Sequence, residues 1–565
     1  MKSKKGKIIA VLAVLIIAGI YYYVTIPAIN IHATGFWIFL IALLVLCLFL
    51  YGIRKVRSPE ELKTNKVIKA GLGIIVAVVA VYLIGTLLSS PIINAKKYRE
   101  LITPETSDFT EDIEQISYNQ IPILDKDSAT LLGNRKMGSM VDMVSQFEVS
   151  SIYSQINYQG RPVRVTPLTY ASPIKWLTNQ KEGIPAYITI DMTTQNTELV
   201  KLKEGMKYTE SEYFNRNIYR HLRFRYPTYI FDQISFEIDE EGTPFWICPV
   251  KEYTIGLFGG QTIGKVVLCN AVTGECTDMD VEDCPTWVDR VYPADLLIEM
   301  YDYHGELING FFNSVFGQKG CLKTTEGYNY LAIDDDVWVY TGVTSVSGDK
   351  SNVGFVLMNQ RTRETKYYEI PGAEEFSAME SAEGQVQNLA YTAAFPLLLN
   401  IADEPTYLIA LKDNAGLVKK YAMVNIQKYQ NVAIGDTVSQ CEEKYLELLV
   451  DNGMLDDEKA AQSSEEKEAK GVISRMAQAV VEGNTHYYLM LENEERIYDV
   501  PITEFLGIVK YDVGDTVTLT YIEGEPACEV TSVTGASGDA RAEIETESTE
   551  EETDETAAES EETQS

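Results

Sequence analysis

Residues 36–53 read FWIFLIALLVLCLFLYGI, an apolar run without a charged residue. A helix needs about 20 apolar residues to cross a bilayer core, so this run predicts a transmembrane helix. Similar runs stand on either side of it, at residues 8–26 and 70–88. The sequence therefore predicts that residues 1–90 form a helical anchor with three transmembrane helices.

The basic residues around these runs predict the orientation of the anchor, because Lys and Arg are retained in cytoplasmic loops. Ten of them precede the first run or separate the second from the third, against three at Lys96, Lys97 and Arg99. The expected protein is a multi-pass cell-membrane protein with a cytoplasmic N-terminus and a large extracytoplasmic C-terminal domain. The alternative is a cleaved signal peptide, although Tyr21, Tyr22 and Tyr23 suit an interfacial belt better than a cleavage site.

The amino-acid composition excludes some classes of function and favours others. The 565 residues exceed what one core supports, so several folded units are expected. The formal net charge of -34 excludes nucleic acid as a plausible partner, because a phosphate backbone needs a basic face. The apolar runs carry no ionisable residues, which favours an anchor in the lipid bilayer over a transporter.

Residues 100–435 predict a repeated α+β extracytoplasmic region in which a helix precedes antiparallel strands. The clearest helical periodicity lies within residues 294–316, where apolar residues recur at three- and four-residue steps. Alternating segments bounded by turn residues follow, among them AYITIDMTTQNTELVKL from Ala186 and KVVLCNAVTGECTDMDV from Lys265. Such alternation is typical of half-buried antiparallel hairpins.

The segment KVVLCNAVTGECTDM resembles a PepSY-type module, which has a strand, a turn containing Thr-Gly-Glu and a return strand. Residues 320–430, with VYTGVTSVSGDKSNVGFVLMNQRTRETKYYEI, resemble large membrane proteins of Gram-positive bacteria, a family with no established activity. PepSY modules are associated with restraint of secreted peptidases and with the cell envelope. The resemblance thus implies a binding or regulatory role, and it transfers no catalytic residue.

Three further segments are predicted towards the C-terminus. Residues 436–470 read as a helical, polar linker, and residues 536–565 as a disordered acidic tail. Between them, residues 471–535 alternate as short strands, including HYYLMLENEERIYDV and IVKYDV. This pattern predicts a small OB- or SH3-like β-barrel.

Cys269 and Cys276 are the one pair of cysteines whose spacing indicates a possible disulfide. They flank a predicted hairpin turn and face each other if the loop contains four residues. The remaining cysteines of the extracytoplasmic region have no partner that spacing identifies: Cys248, Cys284, Cys321, Cys441 and Cys528. Disulfide connectivity cannot be read from the sequence, so the Cys269–Cys276 bridge stays a possibility and the other pairings stay open.

Other candidate residues have ordinary interpretations as well as functional ones. The four histidines form no paired metal-ligand spacing, and no cofactor motif is present, so no metal or cofactor is expected. Asp334, Asp335 and Asp336 predict a polar turn before a strand in preference to a cation site. Cys321 with His304 could form a thiol nucleophile, but core packing is the favoured interpretation of both.

Three arginines, Arg216, Arg220 and Arg223, share a predicted helix face. Either they are solvated or they grip an anionic wall polymer.

The sequence predicts a membrane-anchored extracytoplasmic binding or scaffold protein of the cell envelope that is not an enzyme. Its expected partners are the lipid bilayer and an envelope or membrane protein. Two alternatives remain: a regulator or inhibitor of an envelope peptidase acting through PepSY-like modules, and a cell-envelope hydrolase whose site is assembled from residues distant in sequence.

Overall fold

The computed structural model describes most of the chain. The described residues are 2–55, 61, 64–113, 115, 121–333, 335–346, 351–455, 466–481, 484–492, 494, 496–502, 505–522 and 527–536. Asp334, the polar stretch 456–465 of the predicted linker and nearly all of the predicted acidic tail lie outside them.

Three helices open the chain: α1 (Lys2–Thr25), α2 (Thr34–Lys55) and α3 (Lys66–Leu88). Among the described residues, only α2 and α3 are long and apolar enough to cross a membrane, whereas the apolar part of α1 covers just Leu12–Thr25. The prediction of three transmembrane helices is therefore wrong, because the structure supports two candidate spans. Only 6% of the apolar stretch of each is buried, as expected of helices that face lipid.

The two candidate spans pack closely against each other at a glycine. A Cβ atom at Gly71 of α3 would lie 2.3 Å from Cδ2 of Leu48 in α2, so a larger residue there would force the Leu48 side chain to move. Small residues serve this purpose in membrane helix pairs. At the other end of the pair, Trp37 of α2 contacts Tyr82 of α3, with 6.0 Å between ring centroids.

A short helix, α4 (Pro91–Arg99), links the spans to four antiparallel-rich sheets. The first sheet follows α5 (Phe109–Asp112) and α6 (Lys126–Gly138), and includes α7 (Pro173–Asn179) as an insertion. Its order is β2-β4-β5-β6, with β3 also paired to β4. The strands are β2 (Phe147–Val149), β3 (Ser154–Tyr158), β4 (Arg161–Tyr170), β5 (Ile184–Asp191) and β6 (Thr197–Met206).

The second sheet follows α8 (Ile218–Arg225), which a 3₁₀ turn at Phe214–Arg216 precedes. It is a meander of order β10-β9-β8-β7. Its strands are β7 (Ser235–Ile238), β8 (Pro244–Ile255), β9 (Gly259–Asn270) and β10 (Cys276–Asp280). This sheet and the first share one apolar core, in which Trp246 and Phe236 are fully buried.

The third sheet follows α9 (Ala294–Glu306) and a single π-helical turn at Asn313–Gly317. Its order is β1-β15-β14-β13-β11, with β12 on β13 and β16 on β14. The strands are β1 (Glu105–Thr106), β11 (Leu322–Thr324), β12 (Asn329–Ile333), β13 (Asp336–Ser345), β14 (Ser351–Asn359), β15 (Thr365–Tyr368) and β16 (Gly372–Ala373).

The fourth sheet follows α10 (Glu375–Gln385) and has the order β17-β19-β20-β21, with β18 on β19. Its strands are β17 (Thr392–Ala393), β18 (Leu397–Ile401), β19 (Glu404–Lys412), β20 (Val418–Asn425) and β21 (Val432–Gly435). The third and fourth sheets share one apolar core and so form one unit. The next helix, α11 (Val438–Asp451), buries Cys441, Tyr445 and Leu449 in that core. It belongs to this unit and not to a solvated linker.

The C-terminal strands pair in the ring order β22-β23-β24-β26-β25, in which β25 also pairs with β22. They are β22 (Glu466–Val481), β23 (Asn484–Leu491), β24 (Tyr498–Pro501), β25 (Thr516–Ile522) and β26 (Cys528–Ala536). The β24–β26 seam has only two parallel residue pairs, and the first half of IVKYDV lies in a 3₁₀ turn at Leu506–Lys510. The predicted OB- or SH3-like barrel is thus corrected to a five-stranded ring with one short seam.

The β8–β9 turn lies against the ends of the two spans. Phe258 packs between Trp37 of α2 and Tyr82 of α3, with ring centroids 6.2 and 5.0 Å away. Ser89, at the end of α3, accepts the backbone N–H groups of Leu257 and Phe258 through its hydroxyl oxygen. The N-terminal end of α2 and the C-terminal end of α3 therefore both contact the folded region. The sheets thus lie at one end of the helix pair.

Candidate functional site

The β9–β10 hairpin brings Cys269 and Cys276 directly opposite each other. Asn270 donates its N–H to Glu275 O, so the loop contains the four residues 271–274, the register on which the predicted disulfide depended. The two Sγ atoms lie 2.9 Å apart. Directly opposed residues in an antiparallel pair have Cα atoms roughly 4.5–5.5 Å apart, within the range that a disulfide bridges.

A histidine completes this cluster from a separate element. His221, in α8, places its Nε2 atom 2.7 Å from Gly274 O in the hairpin loop, and its ring packs 4.5 Å from that of Tyr208. One ligand atom each from His221, Cys269 and Cys276 all lie within 4.8 Å of one another. We call these three residues the thiol–imidazole cluster.

The cluster makes its two thiols chemically unequal. Contact with the Cys269 thiol, followed by the His221 imidazole, lowers the pKa of Cys276, while contact with Cys276 together with burial raises the pKa of Cys269. The interaction of the His221 imidazole with the Cys276 thiol in turn raises the pKa of His221. The cluster therefore favours a thiolate on Cys276 beside a protonated imidazole, the state that attacks an oxidised sulfur.

Two kinds of chemistry fit this donor set. Two thiols in contact form a disulfide when an oxidant accepts their electrons, and two thiolates with an imidazole are ligands that Zn²⁺ and Cu⁺ prefer. His221 is far from the cysteines in sequence, which is why the spacing of the histidines alone did not reveal the cluster. The disulfide remains a prediction, since the structure contains both residues as free thiols.

Mild oxidation with diamide is expected to join Cys269 to Cys276. His221→Ala is expected to slow the reaction by about three- to four-fold for each pKa unit that Cys276 regains, because the loss of thiolate is partly offset by a more nucleophilic thiolate. Peptide mapping after alkylation of the remaining thiols measures how fast the Cys269–Cys276 disulfide forms. Cys248 serves as the control, because burial raises its pKa and its thiol donates to Trp246 O. Alkylation of both hairpin cysteines after oxidation would contradict the prediction.

Cys321 and His304 do not form a catalytic pair. Cys321 Sγ lies 3.1 Å from Glu306 O and burial raises its pKa, whereas His304 Nδ1 lies 3.0 Å from Arg99 O. Each is thus tied to backbone groups of different segments. The hydrolase alternative gains nothing from these two residues.

The described part of the acidic run forms a turn and the start of β13. Asp336 makes an ion pair with Arg361, at 2.6 Å, and Asp335 accepts from the Asn157 amide. Behind them lie Glu237 and Asp289, two buried carboxyl groups that sequence reasoning missed. Burial raises the pKa of both, and Glu237 accepts the backbone N–H groups of Asp289 and Arg290. Their spacing along the chain contains no signal that would have linked them.

The three arginines have intramolecular partners. Arg220 stacks on Tyr23, with its guanidinium carbon 5.0 Å from the ring centroid, and Arg223 donates to Ile26 O just beyond α1. Arg216 donates to Gln180 O. Arg220 and Arg223 therefore tie α8 to the chain at the end of α1.

A groove of about 1030 Å³, lined by polar and apolar side chains alike, opens between the first two sheets. One wall is a face of the first sheet, including Thr189, Glu198 and Val200, and the other consists of the β7–β8 and β9–β10 turns, including Thr243 and Thr273. Tyr187 fixes the two walls by donating to Gly242 O at 2.9 Å. The groove is at the upper end of the volumes that ligand sites usually have.

No protein-family model matches the chain, and no curated protein matches it in sequence.

Proposed function

We propose that this protein is a membrane-anchored, non-enzymatic binding protein of the cell envelope, whose groove receives an extended polar segment of an envelope or membrane protein. The observation that carries the proposal is the groove itself, which lies in a region joined directly to two candidate membrane spans. Convergent polar groups in a large concave surface are the usual mark of a binding site.

The basic residues of the α2–α3 connection support an extracytoplasmic position for the folded region. Six lie between the ends of the two apolar runs: Arg54, Lys55, Arg57, Lys63, Lys66 and Lys69. A short loop with this many cations is retained in the cytoplasm. Since the folded region meets the opposite ends of α2 and α3, it is then extracytoplasmic.

The lining residues favour a polar ligand of mixed charge. Arg161, Lys201 and Lys203 lie along the groove together with Asp191 and further carboxylates at 198, 204 and 241. β6 is the edge strand of its sheet, and its exposed residues border the groove. An extended peptide matches this shape, because it can present side chains to both walls along its length.

A photo-crosslinking residue at Glu198 in the full-length protein, in its native membrane, is expected to capture a defined partner. Val200→Trp, which fills the groove, should reduce that capture about ten-fold, corresponding to roughly 1.4 kcal/mol of lost affinity. Val141→Trp is the matched control, because Val141 is 83% exposed and does not line the groove. Equal capture by both variants would refute the groove as the binding site.

Regulation of an envelope peptidase is the second candidate, and one observation favours it. The PepSY-like segment forms the β9–β10 hairpin, and its turn residues Asn270, Val272 and Thr273 line the groove. If the captured partner is a peptidase, adding the purified protein should inhibit it, and Val200→Trp should relieve the inhibition.

A further inference from the structure

Two apolar patches project from the folded region beside the helix ends. The first patch is Phe214, whose ring lies 6.0 Å from that of Trp176 in α7, together with the exposed Ile174 and Leu177 of the same helix. The second patch is Phe312, Val315 and Phe316 around the π-helical turn. Their side chains are between 50% and 80% exposed, which is costly in water for residues of this size. Clustered exposure of this kind marks an interaction surface.

The first patch is connected to the end of α1 through one side chain. Arg220 donates to Phe214 O and to Tyr23 O, and its guanidinium lies over the Tyr23 ring. Tyr22 in turn packs against Phe39, in the first turns of α2, with 6.0 Å between centroids. The patch is thus close to the level at which α2 enters the apolar region.

The second patch is held close to the end of α3. Tyr98 of α4 donates to Ser89 O, so α4 stays beside the end of the span, and Arg99 donates to Ile308 O in the segment that leads to Phe312. Ile92 and Ile93 of α4 are themselves about half exposed. The exposed apolar residues of α4 and of the second patch therefore continue the apolar surface of the spans into the folded region.

The local backbone presents these side chains to the outside. Phe214 has a φ of 52°, which a bulky residue rarely adopts, and the residue is nevertheless 63% exposed. Gly310, with a φ of 84°, and Gln318, with a φ of 48°, bracket the second patch. Strained or turning backbone that exposes aromatic rings is hard to explain by folding stability alone.

We propose that both patches insert into the outer leaflet of the same bilayer that holds α2 and α3, so that the folded region lies on the membrane surface. Apolar side chains bury about 5–10 Å into the headgroup boundary in this mode of binding. The large negative charge of the chain disfavours attraction to anionic headgroups, so the contact is apolar. The proposal rests on the membrane anchoring in the proposed function and adds where the folded region sits.

Quenching by lipid-borne nitroxide tests the insertion in the full-length protein, reconstituted alone in phosphatidylcholine vesicles. In a Cys47→Ser background, Phe316→Cys and Ile174→Cys are labelled with an environment-sensitive fluorophore, and lipids with a nitroxide near the headgroup are added. Leu506→Cys is the matched control, because Leu506 is 68% exposed on the C-terminal ring. The two patch positions should be quenched about two-fold more strongly than the control, as a label 5–10 Å deep would be.

A separate label on native Cys47, near the middle of α2, reports the span itself when the lipids carry the nitroxide in the middle of the acyl chain. Quenching at Cys47 without extra quenching at positions 316 and 174 would overturn the docking proposal alone, and would leave the patches as a surface for a protein or a second copy of this chain. Absence of quenching at Cys47 would overturn the anchoring as well.

Discussion

Trp246→Ala should lower the free energy of unfolding of the first two sheets by about 3–5 kcal/mol, the usual cost of removing a fully buried tryptophan. Trp246 is completely buried, packs on Phe236 with 5.3 Å between centroids, and donates its Nε1–H to Tyr208 O at 2.8 Å. It is also the cross-strand partner of Cys269. The substitution therefore leaves a cavity beneath the thiol–imidazole cluster.

Pulse proteolysis in urea, followed through peptides from residues 147–280, measures this loss. Trp287→Ala is the control, because Trp287 is only partly buried and packs at the edge of another core. A similar loss for both variants would show that Trp246 has no special place in the core. Diamide crosslinking of Cys269 to Cys276 should also become less efficient in the Trp246 variant alone.

Glu375→Leu is expected to destabilise the unit formed by the third and fourth sheets by about 1–3 kcal/mol, since it leaves the buried Gly342 N–H without its carboxylate acceptor. Glu375 is fully buried in the first turn of α10. Its carboxylate accepts the Gly342 N–H at 2.7 Å and the Thr325 hydroxyl at 3.0 Å. Glu380→Leu, on the exposed face of the same helix, should cost little by comparison.

The pH dependence of thermal stability tests the role of Glu375 independently. Burial raises its pKa above the ordinary value of 4.5, so the native state holds the proton more tightly than the unfolded chain does. Its contribution to stability is complete below that ordinary pKa and is lost as the pH rises through the folded-state pKa. Glu375→Gln should remove this decline in thermal stability, and a variant that retained it would contradict the assignment.

The sequence predicted local patterns well and long-range assembly poorly. Alternation and turn residues located the hairpins, because both depend on neighbours in the chain, whereas the register that places Cys269 opposite Cys276 came only from the structure. By contrast, the partners of His221, Glu237 and Arg220 come from other elements. No periodicity within one segment encodes such contacts.

Helix boundaries show the same limit. The periodicity over residues 294–316 is interrupted after Glu306 by Gly310, whose φ is 84°, and resumes only as one π-helical turn. The periodic face of α11 looked polar in isolation, yet Tyr445 and Leu449 complete the core beneath the fourth sheet. Apolar residues spaced among many charges are easily read as a solvated helix.

Labelling of intact cells with a membrane-impermeant thiol reagent tests the central claim most directly, since the proposed binding role requires the folded region to lie outside the cytoplasm. The reagent is applied to a protein with Val141→Cys, a position that is 83% exposed, in the Cys47→Ser background. We expect Cys introduced at position 141 to be labelled in intact cells as fully as after lysis. Labelling only after lysis would contradict the orientation and, with it, the proposed role in the envelope.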